Sequence, residues 1–323
     1  MTNKLLEPEL LRIFCKVNET KQLNLAAKAL GITTSAVSQA IRKLESELKT
    51  ELFYHKQRPL RLTPAGAKLL SEGRPIIEAL KALQSQYLGM DMPQVSLRLG
   101  LSESTTATLS PWLVSVIHKR IAQLSVHSNL NSFLTEELKS GVLDICIYSE
   151  GLLTEAQWMR IPVFEEEFLF VSASNIPSIR SLEDLRAAAS VYPYVSYTSA
   201  SQDRATVDEF LHSVNVQPRS RIQTSSSYCL VGLVDQTQGW TLLPATNLLS
   251  GGPFAKAVNW APLPGRYRFS RRTWVLGNPA FSAEIHWLAK LSQKIFETYI
   301  TEQLRKLSPE FLRHVSILPL STN

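Results

Sequence analysis

The sequence predicts a multidomain protein: an all-α, winged helix-turn-helix domain at the N-terminus and a larger α/β domain after it. Residues 1–92 show apolar residues at helical spacing, whereas strand and helix patterns alternate from Gln94 onward. Residues 1–92 also hold 14 Lys and Arg against 9 Asp and Glu, while the remainder holds 20 against 19. Most of the net charge of +6 therefore lies in the first part, which is expected to meet a polyanion.

The composition is that of a folded protein, with 44% hydrophobic and 19% charged residues. No apolar run approaches the roughly 18 residues of a membrane span, so no membrane partner is expected. Glu7 and Glu9 interrupt the apolar N-terminus, which is unlike a secretory signal, and a cytoplasmic location is expected. Three widely spaced cysteines do not form a disulfide framework or a zinc site: Cys15, Cys146 and Cys229.

Three helices are predicted within the first 50 residues. The first carries apolar residues at helical spacing, namely Leu6, Leu10, Ile13, Phe14 and Val17. Asn24 is the expected N-cap of the second helix, and Gly31 is its expected end. Thr33 is the expected cap of the third, whose apolar stripe is Val37, Ile41, Leu44 and Leu48. The short glycine-containing turn between the last two is typical of a helix-turn-helix.

A hairpin and a long helix follow. Two short extended runs, Glu51–Tyr54 and Leu60–Thr63, flank a basic tip and predict a wing. Thr63 and Pro64 are the expected start of a helix of roughly 25 residues. Its apolar residues follow a heptad pattern, with Leu69, Ile76, Leu80, Leu83 and Tyr87. Dimerisation through this seam is favoured over packing on its own domain, which has little surface to cover it.

The third helix is the candidate reader of DNA. With its apolar stripe turned inward, its outer face presents Thr34, Ser35, Ser38, Gln39 and Arg42. Gln can pair with adenine, Arg with guanine, and Ser or Thr with several base edges. Phosphate contacts are expected from the wing residues Lys56, Arg58 and Arg61. The alternative, an ordinary solvated helix, does not explain the basic hairpin or the charge asymmetry.

The α/β region predicts two lobes around a sheet of parallel type. Proline-bearing crossings at Ile161–Val163 and Pro262–Gly265 are expected to divide it into lobe one, 93–161 and 266–307, and lobe two, 162–265. A long helix is expected over Ser282–Leu307. The run Glu165–Glu167 is expected at a solvated strand edge, and the tail 308–323 has no assigned role.

Three strand ends in this region are rich in hydroxyls: Ser102–Thr105, Thr198–Ser201 and Thr224–Ser227. Ligands of open α/β sheets lie beyond such ends, where helix N-termini favour an anion such as a carboxylate. Two alternatives stay open. The hydroxyls can serve as helix caps alone, and Glu103 would instead attract a cationic ligand.

The residues Asn24–Leu30 (NLAAKAL), Thr34–Glu45 (TSAVSQAIRKLE), Leu52–Phe53 and Arg61–Gly66 (RLTPAG) resemble the N-terminal domain of LysR-type transcriptional regulators. The strand motif Leu143–Ile147 and the order of later elements resemble the effector domain of the same family. The resemblance implies a winged helix-turn-helix domain (1–63), a linker helix for dimerisation (64–92) and an effector domain (93–307) that is two-lobed and periplasmic-binding-protein-like.

The resemblance also implies partners and site residues. It implies operator DNA, a homodimer that commonly becomes a homotetramer, and a small-molecule effector, expected here to be anionic, between the lobes. DNA contacts are implied at the turn and start of the third helix, which adds Thr33 to the polar face. Effector contacts are implied at Ser102, Ser104, Thr105, Thr198 and Ser199.

No catalytic residue, metal or cofactor is expected, because none of the common hydrolase, P-loop or redox motifs occurs. Redox sensing needs an exposed low-pKa thiolate and a resolving partner, and no pattern indicates either. An alternative function is a solute-binding or enzymatic α/β module whose N-terminal domain serves only for oligomerisation.

Overall fold

The structure is a computed structural model that describes residues 5–54, 57, 59–88, 96–121, 123–149 and 157–320. The chain forms two compact units, Met1–Ser96 with Glu136–Asp144, and Leu97–Thr135 with Ile145–Asn323. No helix within the described ranges is long and apolar enough to cross a bilayer.

The first unit contains the helices α1 (Pro8–Thr20), α2 (Leu23–Leu30) and α3 (Thr34–Leu48). Gly31 ends α2 in the left-handed conformation at φ 68°, and the Thr33 hydroxyl caps α3 by accepting from the Ala36 amide at 3.1 Å. The expectation of Asn24 as N-cap is wrong, because α2 begins two residues earlier than expected, at Leu23, and its N-cap is Gln22, whose side chain makes no capping bond. Buried apolar residues join the three helices, among them Phe14, Val17, Val37 and Leu44.

The predicted hairpin is present but short. Phe53 and Leu62 form an antiparallel bridge, and the Tyr54 amide donates to the Arg61 carbonyl at 2.9 Å. Leu52 and Phe53 are buried, which anchors the base of the hairpin to the helical core. Lys56 and Arg58, at its tip, lie outside the described residues.

The long helix α4 (Pro64–Leu88) begins as expected, since the Thr63 hydroxyl accepts from the Gly66 amide at 3.0 Å. Gly73 stands where the heptad pattern lacks a large residue because a Cβ there would lie 2.6 Å from Leu11 Cδ1. Further along, three seam residues are 40–54% exposed on the single chain: Ile76, Leu80 and Leu83. The side chain of Tyr87 lies outside the described part.

The segment Glu136–Asp144 belongs to this first unit. Arg74 Nη1 lies 3.5 Å from Asp144 Oδ1, and both side chains are nearly buried. Burial raises the pKa of Asp144 to about 7, although the Arg74 charge acts in the opposite direction. A buried carboxyl group and a buried guanidinium thus lie next to each other inside the unit.

The second unit is built on a sheet with the strand order β2-β1-β3-β9-β4-β7-β5-β6, to which β8 and β10 add by pairing with β4. The strands are β1 (Ser96–Ser102), β2 (Gln123–Asn129), β3 (Ile145–Ser149), β4 (Met159–Ala173), β5 (Tyr194–Tyr197), β6 (Arg221–Thr224), β7 (Trp240–Pro244), β8 (Val258–Pro262), β9 (Ser270–Gly277) and β10 (Val315–Ile317). The expectation of a parallel-type sheet is only partly right, because the sheet is mixed: β1–β3, β5–β6 and β5–β7 are parallel, but β4 is antiparallel to each of its partners.

Helices cover this sheet, and their order completes the α/β alternation. They are α5 (Glu103–Ile117), α6 (Asn131–Lys139), α7 (Leu182–Val191), α8 (Gln202–Ser213), α9 (Ser227–Gln236), α10 (Ala245–Ser250), α11 (Ser282–Ile295) and α12 (Thr301–Leu307). A π-helical turn, Phe296–Ile300, joins the last two into the long helix expected from the sequence.

The 15-residue strand β4 links two lobes. Its first part, up to Glu167, pairs with β9, and its second part pairs with β7 and β8. The sheet therefore separates into one lobe around β1, β3 and β9 and another around β5, β6 and β7, and the chain returns between β8 and β9.

The C-terminal tail, which had no assigned role, is part of the sheet. β10 pairs antiparallel with β4, with Val315 opposite Glu166 and Ile317 opposite Phe164. Phe311, just before this strand, is fully buried. The tail covers one edge of β4, so its backbone groups satisfy that edge.

Candidate DNA-binding surface and effector cleft

The polar face of α3 is open to solvent. Its residues Thr33, Thr34, Ser35, Gln39 and Arg42 are exposed and Ser38 is half-buried, while Val37, Ile41 and Leu44 on the opposite face are buried. The predicted stripe is therefore confirmed apart from Leu48, which is 38% exposed. One helix thus combines an anchored apolar side with a polar side of base-reading chemistry.

The hydrogen bonds that Arg42 makes within this face do not neutralise its positive charge. Arg42 Nη2 donates to Ser38 Oγ at 3.1 Å, and Arg42 Nε reaches the Ser38 carbonyl at 3.4 Å. No carboxylate pairs with Arg42 in the described part of the chain. The Thr33 hydroxyl is already used as a cap, whereas the Thr34 side chain makes no hydrogen bond among those ranges.

A groove of about 600 Å³ lies beside the start of α3, and the sequence reasoning assigned no site there. Lys21, Asn24 and Thr34 contribute to its lining, together with Pro59 and Leu60 from the hairpin base. Lys21 Nζ donates to Asn18 Oδ1 at 2.5 Å, and partial burial lowers the pKa of Lys21. Arg61, the described member of the wing set, is exposed.

In the second unit, a cavity of about 30 Å³ lies between the two lobes. A water molecule needs roughly 10–15 Å³ by such a measure, so the cavity has room for about two waters. Ser102 and Ser104 line it, as predicted, together with Tyr197, Ser201 and Asp203.

The other predicted effector residues do not line this cavity. Thr105 is buried behind Ser102, with 2.6 Å between their hydroxyl oxygens. Thr198 is half-buried and Ser199 is exposed, because the chain turns outward there before α8 begins. Residues two to five positions later, Ser201 and Asp203, face the cavity instead.

Glu103, at the start of α5, fastens one lobe to the other. Its carboxylate accepts from the Ser227 amide at 3.0 Å, from Ser227 Oγ at 2.6 Å and from Ser226 Oγ at 3.2 Å. These donors form the N-terminus of α9, where a negative charge is stabilised by the helix dipole. We call this contact of Glu103 with Ser226 and Ser227 the Glu103 clasp.

Arg271, on β9, is the centre of a buried charge cluster. Its guanidinium donates to Glu166 from Nε (3.0 Å) and Nη2 (2.9 Å), and to Asp203 from Nη1 (2.5 Å). It also donates to Asn247 Oδ1 at 2.6 Å and Ser149 Oγ at 3.2 Å. A guanidinium has five N–H donors, and all five are used here.

The expectation of a solvated edge at Glu165–Glu167 is wrong for Glu166. Its side chain is fully buried because the register of β4 turns it toward Arg271. It also accepts from the Thr246 amide at 2.7 Å at the start of α10. Burial alone would lower the pKa of Arg271, but the carboxylates of Asp203 and Glu166 outweigh burial and raise it.

Tyr197 completes the cavity wall. Its hydroxyl accepts from Asn247 Nδ2 at 2.7 Å and lies 2.7 Å from Ser227 Oγ. Burial raises the pKa of Tyr197 above its usual range, and the carboxylates of Asp203 and Glu103 raise it further. Tyr197 and Asn247 were not predicted to line the cleft, because no hydroxyl-rich motif includes them.

The cysteines lie apart from this chemistry. Cys15 and Cys146 are buried, and burial raises the pKa of Cys15 to about 12. Cys229 is exposed on α9 and unpaired. Across the described ranges, no group of three or more His, Cys, Asp or Glu side chains could hold a metal ion.

Two family models match the chain. The first, described as a bacterial regulatory helix-turn-helix protein of the lysR family, matches residues 8–67, and the second, described as a LysR substrate binding domain, matches residues 91–291.

Curated relatives agree with these matches. The HTH-type transcriptional regulator GltR of Bacillus subtilis (strain 168) is 25% identical over 245 residues, or 75% of this chain and 81% of the relative. The uncharacterized HTH-type transcriptional regulator YusT of the same organism is 30% identical over 243 residues, or 73% of this chain and 78% of the relative.

Solved structures share the fold. A full-length OxyR from Pseudomonas aeruginosa has a TM-score of 0.69 at 20% identity, covering 90% of this chain and 96% of that one. Full-length LysG from Corynebacterium glutamicum with bound effector Arg has a TM-score of 0.65 at 18% identity, covering 90% and 97%. The chain thus belongs to the LysR family: it is a DNA-binding transcriptional regulator with an effector-binding domain.

Proposed function

We propose that α3 enters the major groove of an operator and reads base edges with Thr34, Ser35, Ser38, Gln39 and Arg42. The observation that carries this proposal is the exposed Arg42, whose positive charge meets no carboxylate among the described residues. Arg and Gln make bidentate contacts to guanine and adenine, respectively. Thr33 contributes through its backbone and its cap, because its hydroxyl is already occupied.

Phosphate contacts come from the hairpin in this proposal. Arg61 is exposed, and Lys56 and Arg58 supply further positive charge at the tip by sequence. Such contacts set the position of the protein on the duplex without reading sequence. The groove at Lys21 and Asn24 adds a second place where a backbone phosphate fits beside α3.

We propose that two copies pair through the exposed seam of α4. Ile76, Leu80 and Leu83 are too exposed on the single chain to be explained by packing within their own unit. A two-fold dimer reads two half-sites, so the operator is an imperfect palindrome. A tetramer would arise from two such dimers.

The cleft between the lobes holds the effector. Ser102, Ser104, Tyr197, Ser201 and Asp203 are the contacts favoured by the cavity, and Thr105, Thr198 and Ser199 lie beside or behind them. A cavity of about 30 Å³ is too small for a metabolite, so the lobes must separate for entry. The effector then regulates DNA binding through its different affinity for the two lobe arrangements.

We further propose that the protein works in the cytoplasm, where operator DNA lies, and catalyses no reaction. The relatives that the chain matches are transcriptional regulators. The expectation that no cofactor or metal is needed remains a proposal, as do the domain boundaries at residues 63, 92 and 307.

The test is the variant Arg42→Ala, compared with Arg12→Ala. Arg12 lies half-buried on a helix of the same unit, with its side chain 41% exposed, but it is paired with Glu9. Genomic footprinting with the full chain first identifies an operator. Arg42→Ala should then weaken operator binding by about ten- to a hundredfold, the worth of one bidentate base contact, while non-specific binding falls far less.

Arg12→Ala should bind both DNAs like the parent chain. Equal loss on operator and non-specific DNA in Arg42→Ala would reject base reading by this residue. No protected stretch on any genomic fragment would reject the regulator function itself.

A further inference from the structure

Several of the cleft donors that would bind an anion are already bonded within the protein itself. All five donors of Arg271 are used, and the Ser227 amide and the Ser226 hydroxyl at the start of α9 are bonded to Glu103. At the start of α10, the Thr246 amide is bonded to Glu166. An anionic effector would have to displace an internal carboxylate from each of these places.

The charge that remains in the cleft is negative. The charged residues lining the cavity are Glu103, Asp203 and Arg271, and the buried Glu166 stands behind them. One guanidinium thus faces two carboxylates at hydrogen-bond distance, while a third carboxylate lines the same cavity. An uncompensated buried charge is costly, so a cation in the cavity would stabilise the closed lobes.

Several polar groups facing the cavity have no partner inside the described part of the chain. No donor reaches Asp203 Oδ1, since both bonds to this carboxylate go to Oδ2. Ser104 and Ser201 are 93% and 92% buried, yet their hydroxyls make no hydrogen bond there. Buried polar groups of this kind are normally satisfied by a ligand or by water.

We infer that the effector is a small polar molecule bearing a protonated amine, which Asp203 and the Ser104 and Ser201 hydroxyls receive. This inference rests on the proposed function, in which the cleft is the effector site. It differs from the expectation of an anionic effector, which relied on free helix N-termini and hydroxyls. An ammonium group offers three donors, which match one carboxylate oxygen and two hydroxyl oxygens.

The test uses three four-carbon compounds whose end groups differ in charge: 1,4-diaminobutane, butane-1,4-diol and butanedioate. The thermal unfolding midpoint of the full chain is measured with each compound at constant ionic strength. The diamine should raise the midpoint by several degrees at large excess, because a ligand that binds the folded state stabilises it by mass action. The diol and the dianion should leave the midpoint unchanged.

Two variants locate the effect. Asp203→Asn should abolish stabilisation by the diamine, whereas Asp235→Asn, which changes a carboxylate near the far end of α9, should keep it. If loss of the Arg271 contact unfolds Asp203→Asn, Ser201→Ala tests the same place. That change leaves all cleft charges intact and should weaken the diamine effect several-fold.

The inference is overturned if the dianion stabilises the chain more than the diamine does. It is also overturned if none of the three compounds stabilises it, or if the diamine acts equally on the parent chain and on both cleft variants. Operator binding is measured on the same preparations without any compound. If the chain still binds its operator, only the inferred class of effector is rejected. If the chain does not bind an operator, the proposed function is rejected.

Discussion

The polar face of α3 and the cleft between the lobes use similar side chains in opposite ways. On α3, Arg42 is exposed, and within the described ranges it bonds only to the Ser38 side chain and carbonyl. In the cleft, Arg271 is 3% exposed and all its donors are occupied. The first guanidinium is available to an outside partner, and the second holds its own protein together.

The difference indicates which kind of partner each region accepts. A rigid duplex cannot enter a cavity, so its reader must keep donors unpaired at the surface, where water solvates them at little cost. A buried cleft cannot leave charges unpaired without losing stability. Its specificity therefore depends on the few groups left over, such as Asp203 Oδ1 and the Ser104 and Ser201 hydroxyls.

The largest effect that would test this contrast is on stability. Arg271→Ala removes the partner of two enclosed carboxylates and should lower the free energy of unfolding by about 3–5 kcal/mol. Its neighbour Arg272, whose side chain is 52% exposed near Glu165, is the matched control. Arg272→Ala should cost less than about 1 kcal/mol. Denaturant titration measures both, and similar costs would contradict a structural role for Arg271.

A smaller effect is expected at the Glu103 clasp. Glu103→Gln keeps the shape of the side chain but removes its negative charge from the start of α9, at a cost of about 1–2 kcal/mol. Amide hydrogen exchange in the first turn of α9 should speed up accordingly. Glu209→Gln, at an exposed position on α8, should change neither quantity. Unchanged exchange in Glu103→Gln would show that the clasp does not hold the lobes together.

Substitutions of two adjacent threonines should affect protein stability and DNA recognition separately. Thr33→Ala removes the cap of α3 and should cost about 1 kcal/mol of unfolding free energy. Thr34→Ala removes a hydroxyl without a partner in the described chain, so it should spare stability and weaken operator binding. Thermal unfolding and gel-shift titration of both variants check this. The reverse pattern would mean that Thr34, not Thr33, supports the helix.

The smallest effect concerns salt. Operator affinity should fall linearly on a log–log plot with salt, and each phosphate contact adds about −0.9 to the slope. Arg61→Ala should make the slope shallower by about one, while Arg61→Lys should preserve it. Fluorescence anisotropy over a series of salt concentrations provides the slopes. An unchanged slope in Arg61→Ala would show that this residue does not contact a phosphate.

The N-terminal unit was largely predictable from the sequence because its signals are local. The apolar stripe of α3, the Thr33 cap and the Gly31 turn each depend on residues within a few positions of one another. The wrong N-cap of α2 shows the limit of such signals, since Gln22 holds that position by backbone conformation alone.

The cleft was only partly predictable because its contacts join distant parts of the chain. Ser102 and Ser104 lie at a strand end, and they line the cavity, where that local rule expects them. Glu103 and Ser227, however, are 124 positions apart, and Glu166 and Arg271 are 105 apart. Whether Glu166 points inward depends on the register between β4 and β9, which no periodicity in the sequence specifies.

The Glu103 clasp has a consequence for the sensitivity of the regulator. If the effector enters only after this contact opens, the apparent dissociation constant equals the intrinsic one divided by the open fraction. A firmer clasp therefore demands a higher metabolite concentration before transcription responds. Substitutions at Ser226 or Ser227 could therefore raise or lower the metabolite concentration at which transcription responds. The residues of the opposite lobe that contact the metabolite would not have to change.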